Sequence, residues 1–315
     1  MQPSSLRAER DRAVYNLTMV ALLVALGAAP VAAQSSAPSG PLGPAGPAIG
    51  DSTLSRAVGG RSGALRALFV APSAAPRFEI SALAKLFGDS TTRSPGVYTV
   101  DDTTSKQRFS LISLLPFSAK RAGRIGTYRV GHWPGERRGV AKEQPEGFIE
   151  VTPANQDTHV SENFRLRDFL THDQQGVWPK YLVLREELVE KLELALSELR
   201  ALGIQNPKLV IMSGFRTPQY NARGLRRGRA PDSRHQYGDA ADVFVDSDGN
   251  GRMDDLNGDK RVNKADATVL AKVFERIEQQ FPDLAGGVAV YKATRAHGPF
   301  VHVDVRGERA RWASN

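Results

Sequence analysis

Ser213-Gly-Phe-Arg216, Ser233-Arg-His235-Gln-Tyr-Gly238-Asp-Ala-Ala-Asp242 and Phe300-Val-His302-Val-Asp304 are the three runs on which the reading of this 315-residue chain turns. They contain the residue types a catalytic zinc site needs. Zinc takes imidazole nitrogen and carboxylate oxygen, and a catalytic zinc keeps three protein ligands with the fourth position left to water or substrate. His235, Asp242 and His302 meet that count. The apolar run Ala240 to Val245 reads as a strand begun by a turn at Gly238, so Asp242 projects from a strand. His302 and Asp304 are two apart in a β-rich run and share one side of it. His235 and Asp242, seven apart, fit a loop feeding a strand rather than adjacent helical turns.

A single His or Asp at a strand end is usually solvated or simply hydrogen-bonded; it is the combination that points to a metal. The run S-x-H-x-x-G-x-A-x-D, followed by a strand carrying H-x-D, resembles the zinc D-alanyl-D-alanine carboxypeptidases and dipeptidases. Those share a fold with the hedgehog signalling domain and the lysostaphin-type endopeptidases. The resemblance covers about residues 160 to 313. It implies an α+β catalytic domain with zinc on His235, Asp242 and His302. It also implies that Arg216 holds substrate or a developing oxyanion, a task suited to the fixed fork of guanidinium donors. By the same resemblance His297, five residues before His302, stabilises the transition state. The dipeptidase branch places its carboxylate base three residues before the metal histidine, where this chain has Pro299. Asp304, expected on the metal-facing side of its strand, is the substitute, with the role of orienting a ligand imidazole as the competing reading.

The activity so implied is hydrolysis of peptide bonds in peptidoglycan stem peptides or cross-links, of the D,D-carboxypeptidase or endopeptidase type. A non-catalytic, zinc-containing wall-binding module is the alternative, and a calcium-dependent adhesion protein a third reading. The chain has no cysteine, which excludes disulfides and thiolate metal sites. Its formal charge of +8 favours anionic surroundings. The basic residues are scattered and form no recognition helix or aromatic-studded basic sheet, so the partner expected is an anionic wall or membrane surface rather than nucleic acid.

Residues 1–34 read as an export signal: Arg7, Arg10 and Arg12 precede an apolar run near Leu17 to Ala29, and small residues follow at Val31-Ala-Ala33. This places the remainder in the periplasm or cell envelope. Residues 35–60, rich in Ser, Ala, Pro and Gly, read as a linker. Short apolar runs at Leu65 to Val70, Val97 to Val100, Phe109 to Leu115 and Ile125 to Val130 predict a small β-rich domain over 61–140. There His132 and Trp133 are expected in a turn beside Pro134 and Gly135, with His132 at the surface rather than ligating a metal. Residues 141–163 read as a polar connection and 164–315 as the zinc peptidase domain. In that domain Leu188, Leu192, Ala195 and Leu199 mark a helix over 184–202, a strand follows at Lys208 to Met212, and a helix runs from Lys264 to Phe281. The arginines of 220–235 (Arg223, Arg226, Arg227, Arg229, Arg234) read as solvated surface or as a contact for an acidic polymer.

Residues 246–266 are a predicted calcium-loop insertion. Asp246, Asp248, Asn250, Arg252 (through its carbonyl) and Asp254 match the start of a calcium loop, with Gly251 at the sixth position. Asp255, Asn257, Asp259, Arg261 (again the carbonyl), Asn263 and Asp266, leading into a helix, resemble the calcium loops of dockerin modules. Lys260 stands where those have glycine, and the first loop has Asn257 where a glutamate is usual.

Overall fold

The computed structural model describes residues 58–71, 94–102, 105–138 and 144–313. The expected export segment 1–34 lies outside these residues, as does the linker up to residue 57. Among the described residues no helix is long and apolar enough to cross a membrane. The elements are β1 (Ala67–Val70), β2 (Gly96–Asp101), β3 (Arg108–Ser113), β4 (Leu115–Pro116), β5 (Arg124–Ile125), β6 (Tyr128–Arg129), α1 (Pro134–Arg138), β7 (Gly147–Val151), β8 (Lys180–Leu182), α2 (Glu186–Ala201), β9 (Leu209–Ser213), α3 (Pro218–Ala222), β10 (Ala240–Val245), α4 (Lys264–Gln280), β11 (Gly287–Tyr291), β12 (Phe300–Asp304) and β13 (Ala310–Ala313). Several small, mostly antiparallel sheets and four helices make up the described residues, a mixed architecture consistent with the α+β class expected.

The sheet that matters for function has the order β13-β11-β12-β10-β9. Strand alternation divides its residues between two faces. Ala241, Val243 and Val245 of β10 and Val301 and Val303 of β12 point into the core, against which α4 packs, and α2 packs on α4. Asp242, His302 and Asp304 therefore share the opposite face. In the antiparallel register Asp242 lies directly opposite His302. A β-bulge between β9 and β10 falls at Asp242, the kind of irregularity that re-aims a side chain beside a site.

The helices form for the reasons read in the sequence. α2 buries Leu188, Leu192, Ala195 and Leu199 along one stripe and carries Glu186 and Glu187 in its first turn, where the helix dipole favours negative charge. α4 opens with a capping box: the Asn263 side chain accepts from the Ala265 N–H at 2.8 Å and Asp266 accepts from the Asn263 N–H at 2.8 Å. Its buried stripe is Leu270, Val273, Phe274 and Ile277.

The boundaries expected at 140 and 164 do not separate one core from another. Residues 147–151, expected as polar connection, form β7, which pairs with β4 on one side and β8 on the other. One buried apolar cluster runs from Leu65 to Val305. The connection reads as polar because its apolar residues, Phe148, Ile149 and Val151, are few and lie at the edge of a charged stretch. His132 is exposed as expected, whereas its neighbour Trp133 joins this core. It is fully buried and its ring meets those of Phe117 and Phe148.

A buried ion pair locks the helices to the sheet. Lys191 of α2 donates to Glu278 Oε1 of α4 at 2.7 Å and to the Asp304 carbonyl at 2.9 Å, with both side chains fully excluded from solvent. Burial pushes the Lys191 pKa below its ordinary value. Glu278 is further held by the Gly286 N–H at 3.1 Å and by Arg311. Removing one partner of a buried pair leaves an uncompensated charge. Lys191→Met is therefore expected to cost about 3 kcal/mol, the low end for such a break because Arg311 remains. Lys191→Met combined with Glu278→Gln should cost less than the single change. Urea unfolding midpoints of the two variants check this order.

Candidate metal centre

Each of the three predicted ligands comes from a different element. His235 sits in a 3-10 turn, Arg234–Tyr237, that ends at Gly238 in the left-handed conformation (φ 68°). That turn needs glycine twice over, because a Cβ there would also fall 2.3 Å from the Val183 carbonyl oxygen. Asp242 and His302 come from β10 and β12. All three side chains are buried.

The three inward-facing atoms form a nearly equilateral triangle. His235 Nε2 lies 3.2 Å from Asp242 Oδ1 and 3.1 Å from His302 Nδ1, and His302 Nδ1 lies 3.0 Å from Asp242 Oδ1. Ligands on a tetrahedral ion with bonds of about 2.0–2.1 Å stand about 3.3 Å apart, so the triangle matches one face of such a tetrahedron. The outward atoms decide which nitrogens carry protons. His235 Nδ1 is 2.7 Å from the Gly214 carbonyl oxygen, which can only accept, so the proton sits on Nδ1 and the Nε2 lone pair faces inward. His302 Nε2 donates to Asp304 Oδ2 at 3.2 Å, which turns the Nδ1 lone pair inward. With both rings neutral, two imidazole lone pairs and a carboxylate oxygen point at one place. A cation satisfies all three, and a nitrogen-plus-oxygen donor set of this size suits zinc.

The electrostatics favour the ligand form at His235 and Asp242 and the protonated form at His302, where an ion has a proton to displace. Burial pushes the His235 pKa down and so keeps the ring neutral. Burial alone would raise that of Asp242, but His235, His302 and Arg216 outweigh it and hold the carboxylate well below its ordinary range. For His302, burial is opposed and outweighed by the Asp242 and Asp304 carboxylates, which raise its pKa.

Two roles expected from the sequence change. Asp304 does not face the cluster: it meets His302 on the far ring nitrogen. It is fully buried and already accepts from the Gly287 N–H at 2.7 Å and from Arg306, whose Nε lies 2.9 Å from Oδ1. Strand alternation put it on the correct face, but its neighbours turned it behind the ligand. Its geometry is that of an orienting group rather than a proton acceptor at the centre. Arg216 is likewise engaged. It pairs with Asp242 Oδ2, and its Nε donates to Ser213 Oγ at 2.8 Å, so it fixes the carboxylate ligand and is not free toward a substrate. His297 lies in the loop after β11, its Nδ1 2.8 Å from the Gly298 carbonyl oxygen and its ring against Phe300, with no bond to the three ligands among the described residues.

Several supporting groups were not anticipated. Trp133 Nε1 donates to the Gln236 carbonyl at 2.8 Å, which pins the turn carrying His235 from 103 residues away, a separation no local pattern reveals. Thr171 Oγ1 donates to the Phe215 carbonyl at 2.9 Å and accepts from the Thr217 N–H at 3.1 Å, holding the Ser213–Arg216 run in place. Arg306 was findable in principle as a cation two residues beyond Asp304. In the basic loop, Arg223 pairs with Asp173 at 2.9 Å, Arg229 lies over Tyr220, and Arg234 pairs with Asp239. Arg226 is exposed. Three of these arginines are thus paired or stacked locally, while the Arg223 side chain remains 53 % exposed.

The 246–266 stretch folds as two matching loops. In each, the first aspartate accepts from the backbone N–H groups of the fifth and sixth residues: Asp246 from Asn250 and Gly251, both at 2.9 Å, and Asp255 from Asp259 at 3.2 Å and Lys260 at 2.7 Å. Lys260 adopts φ 64°, close to the 78° of Gly251 at the same position, so the missing glycine does not change the turn. Carboxylate oxygens of Asp246, Asp248 and Asp254 lie within 4.8 Å of one another. Asp266 accepts from the Leu256 N–H at 2.9 Å besides capping α4.

No protein-family model, no curated protein and no solved structure matches this chain.

Groups that orient metal ligands typically change affinity about 10–100-fold when removed. Asp304→Asn and Arg216→Ala are therefore expected to weaken zinc binding in that range, whereas His235→Ala, Asp242→Ala and His302→Ala abolish stoichiometric zinc. Competition with a chromogenic chelator measures both. Unchanged affinity in Asp304→Asn would remove its orienting role.

Proposed function

We propose that this protein is an exported zinc peptidase acting on peptidoglycan stem peptides or cross-links, with a catalytic domain of the hedgehog and D-alanyl-D-alanine metallopeptidase type. The observation that carries the reading is the convergence of three lone pairs at tetrahedral spacing, with the outer nitrogen of each histidine tied to a fixed acceptor. The sequence runs quoted above support the assignment of class, and the positive charge supports an anionic polymer as partner.

Zinc, held by His235, Asp242 and His302, would supply a Lewis acid and lower the pKa of a water to about 7. The chain's own residues then have separable tasks. Asp304 keeps the proton of His302 on Nε2, and the Gly214 carbonyl keeps that of His235 on Nδ1, so neither ring has to reorient. Arg216 holds Asp242 ionised. His297 is the group left to move a proton, because its loop is the accessible one and Asp304 is fully occupied. Pro299 in the place of a carboxylate and the rearward position of Asp304 favour a second reading, a non-catalytic zinc module that binds the wall.

Purified muropeptides incubated with the protein, with and without chelator, separate the two. The expected outcome is chelator-sensitive release of D-alanine or of uncrosslinked stems, identified by mass, and a drop in turnover of about 10²-fold or more in His297→Ala with zinc retained. Binding of muropeptides without any cleavage product favours the wall-binding module instead.

We further propose that the paired loops bind calcium. Asp246, Asp248, Asp254, Asp255, Asp259 and Asp266 repel one another in the absence of a cation, and the loops follow directly on β10, which carries Asp242. An ion that binds only the folded form stabilises it by about 2.7 kcal/mol at a hundredfold excess over its dissociation constant. Millimolar calcium is expected to raise the melting temperature. Asp246→Ala with Asp259→Ala should abolish the rise while zinc stays bound. A melting curve indifferent to calcium in metal-stripped protein reduces the stretch to an acidic surface loop.

A further inference from the structure

Beside the three ligands the same sheet face carries an aromatic surface that the reaction described above does not use. Trp312 on the edge strand β13 and His302 on β12 flank Ala289 of β11 in register, and their rings lie 5.2 Å apart. The indole is 38 % exposed, one of four large apolar side chains so exposed among the described residues. Its position is built rather than incidental. Trp312 Nε1 donates to Tyr291 Oη at 3.0 Å, Tyr291 stacks on Phe300 with ring centroids 4.6 Å apart and planes 2° from parallel, and the Arg306 guanidinium lies 5.5 Å from the indole. Gly287 lets the ring lie down: a Cβ there would fall 2.7 Å from Trp312 Cη2. With its N–H consumed by Tyr291, the indole presents carbon to whatever approaches the centre from the β13 side.

We propose that Trp312, backed by Tyr291, is the specificity-determining wall of a subsite for an aliphatic peptide residue adjacent to the scissile bond. The inference deepens the peptidase reading and rests on it. Its distance from a metal ligand sets the occupant. A group lying on a ring that touches His302 is within about one residue of the reacting carbonyl, which favours a side chain of the peptide over a sugar ring several bonds away. The charge around the platform agrees: Arg306, which lies over the indole, is paired with Asp304, and Arg309 and Arg311 turn to Glu278 on the helix side, so the wall itself suits an uncharged aliphatic side chain. The competing explanation is that Trp312 merely packs against His302. It predicts a loss independent of the substrate's side chain.

The test compares diacetyl-L-lysyl-D-alanyl-D-alanine with its glycyl-glycine counterpart in the parent, Trp312→Phe and Trp312→Ala, with zinc content measured in each. The peptides differ by two methyl groups, one on each side of the bond cut, and burying either one is worth about 0.8 kcal/mol, or about fourfold in kcat/KM. The parent is expected to prefer the alanyl peptide by at least that factor, through KM. Trp312→Ala should retain zinc and lose the preference, and Trp312→Phe should keep most of it. Equal loss on both peptides, an unchanged preference, or zinc lost in Trp312→Ala overturns the subsite. Binding is read separately by indole fluorescence, using Trp312→Phe as the blank for Trp133 and Trp178. Quenching by the alanyl peptide without turnover leaves the subsite standing while the peptidase reading fails. No quenching at millimolar peptide, or stronger quenching by an N-acetylglucosamine oligomer, overturns the peptide occupant.

Discussion

The backbone pairing of Asp242 with His302 in adjacent antiparallel strands is the constraint from which the rest of the centre follows. Residues directly opposite in such a ladder have Cβ atoms about 4.5–5.5 Å apart, close enough for their side chains to reach one point. A slip of one residue would turn both to the core and bring valines to the surface. That slip is opposed by Val243, Val301 and Val303, which are wholly buried against the helices. The hydrophobic pattern therefore fixes not only the sheet but which polar atoms meet. His235 is then the one ligand that must be brought in from outside the sheet. It arrives on a turn held by Gly238, by the Arg216 N–H on its carbonyl at 3.0 Å, and by Trp133 on the next carbonyl.

The polar groups behind the ligands show why they are buried with partners. A carboxylate taken out of water and left unpaired is costly enough to neutralise itself. Asp304 avoids that through Arg306, the Gly287 N–H and His302, and its pKa is held far below the usual carboxylate range. Lys191 extends the chain of contacts by holding the Asp304 carbonyl, so the position of the residue behind His302 depends on the packing of α2 and α4. Orientation at the centre is thus set partly by an ion pair in the core.

Much of this was legible in the sequence, and the features that were not share a cause. The grouping of His235, Asp242 and His302, and α2, α4, β9 and β10, follow from local spacing: alternation on the strands, a 3.6-residue stripe on the helices, a glycine at the turn. What local spacing cannot report is which way a correctly placed side chain turns once neighbours from elsewhere arrive. Asp304 shares a strand face with His302 as expected, yet Arg306 and Gly287 draw it behind the ring. Arg216 stands where the motif puts it, yet Asp242 consumes its guanidinium. The single core was hidden for the same reason. β7 is short and bordered by polar residues, and only its pairing with strands about 30 residues away on either side reveals it as structure.

The charges around the centre bear on what would occupy a fourth position. With both histidines in the neutral form that ligation requires, Arg216 balances Asp242 and Arg306 balances Asp304. The frame that receives an ion is therefore close to neutral before the ion arrives. A divalent cation there would keep most of its charge uncompensated in a region largely shielded from water, where electrostatic interactions exceed their strength in bulk solvent. An anionic or strongly polarised oxygen is the natural counterpart, supplied by hydroxide or by a peptide carbonyl as it gains negative charge. A second carboxylate ligand would have removed that attraction, and freeing Asp242 from Arg216 would weaken it. Holding Arg216 against the ligand rather than in the open site can thus still favour an oxyanion, by leaving the net charge of the ion available to it.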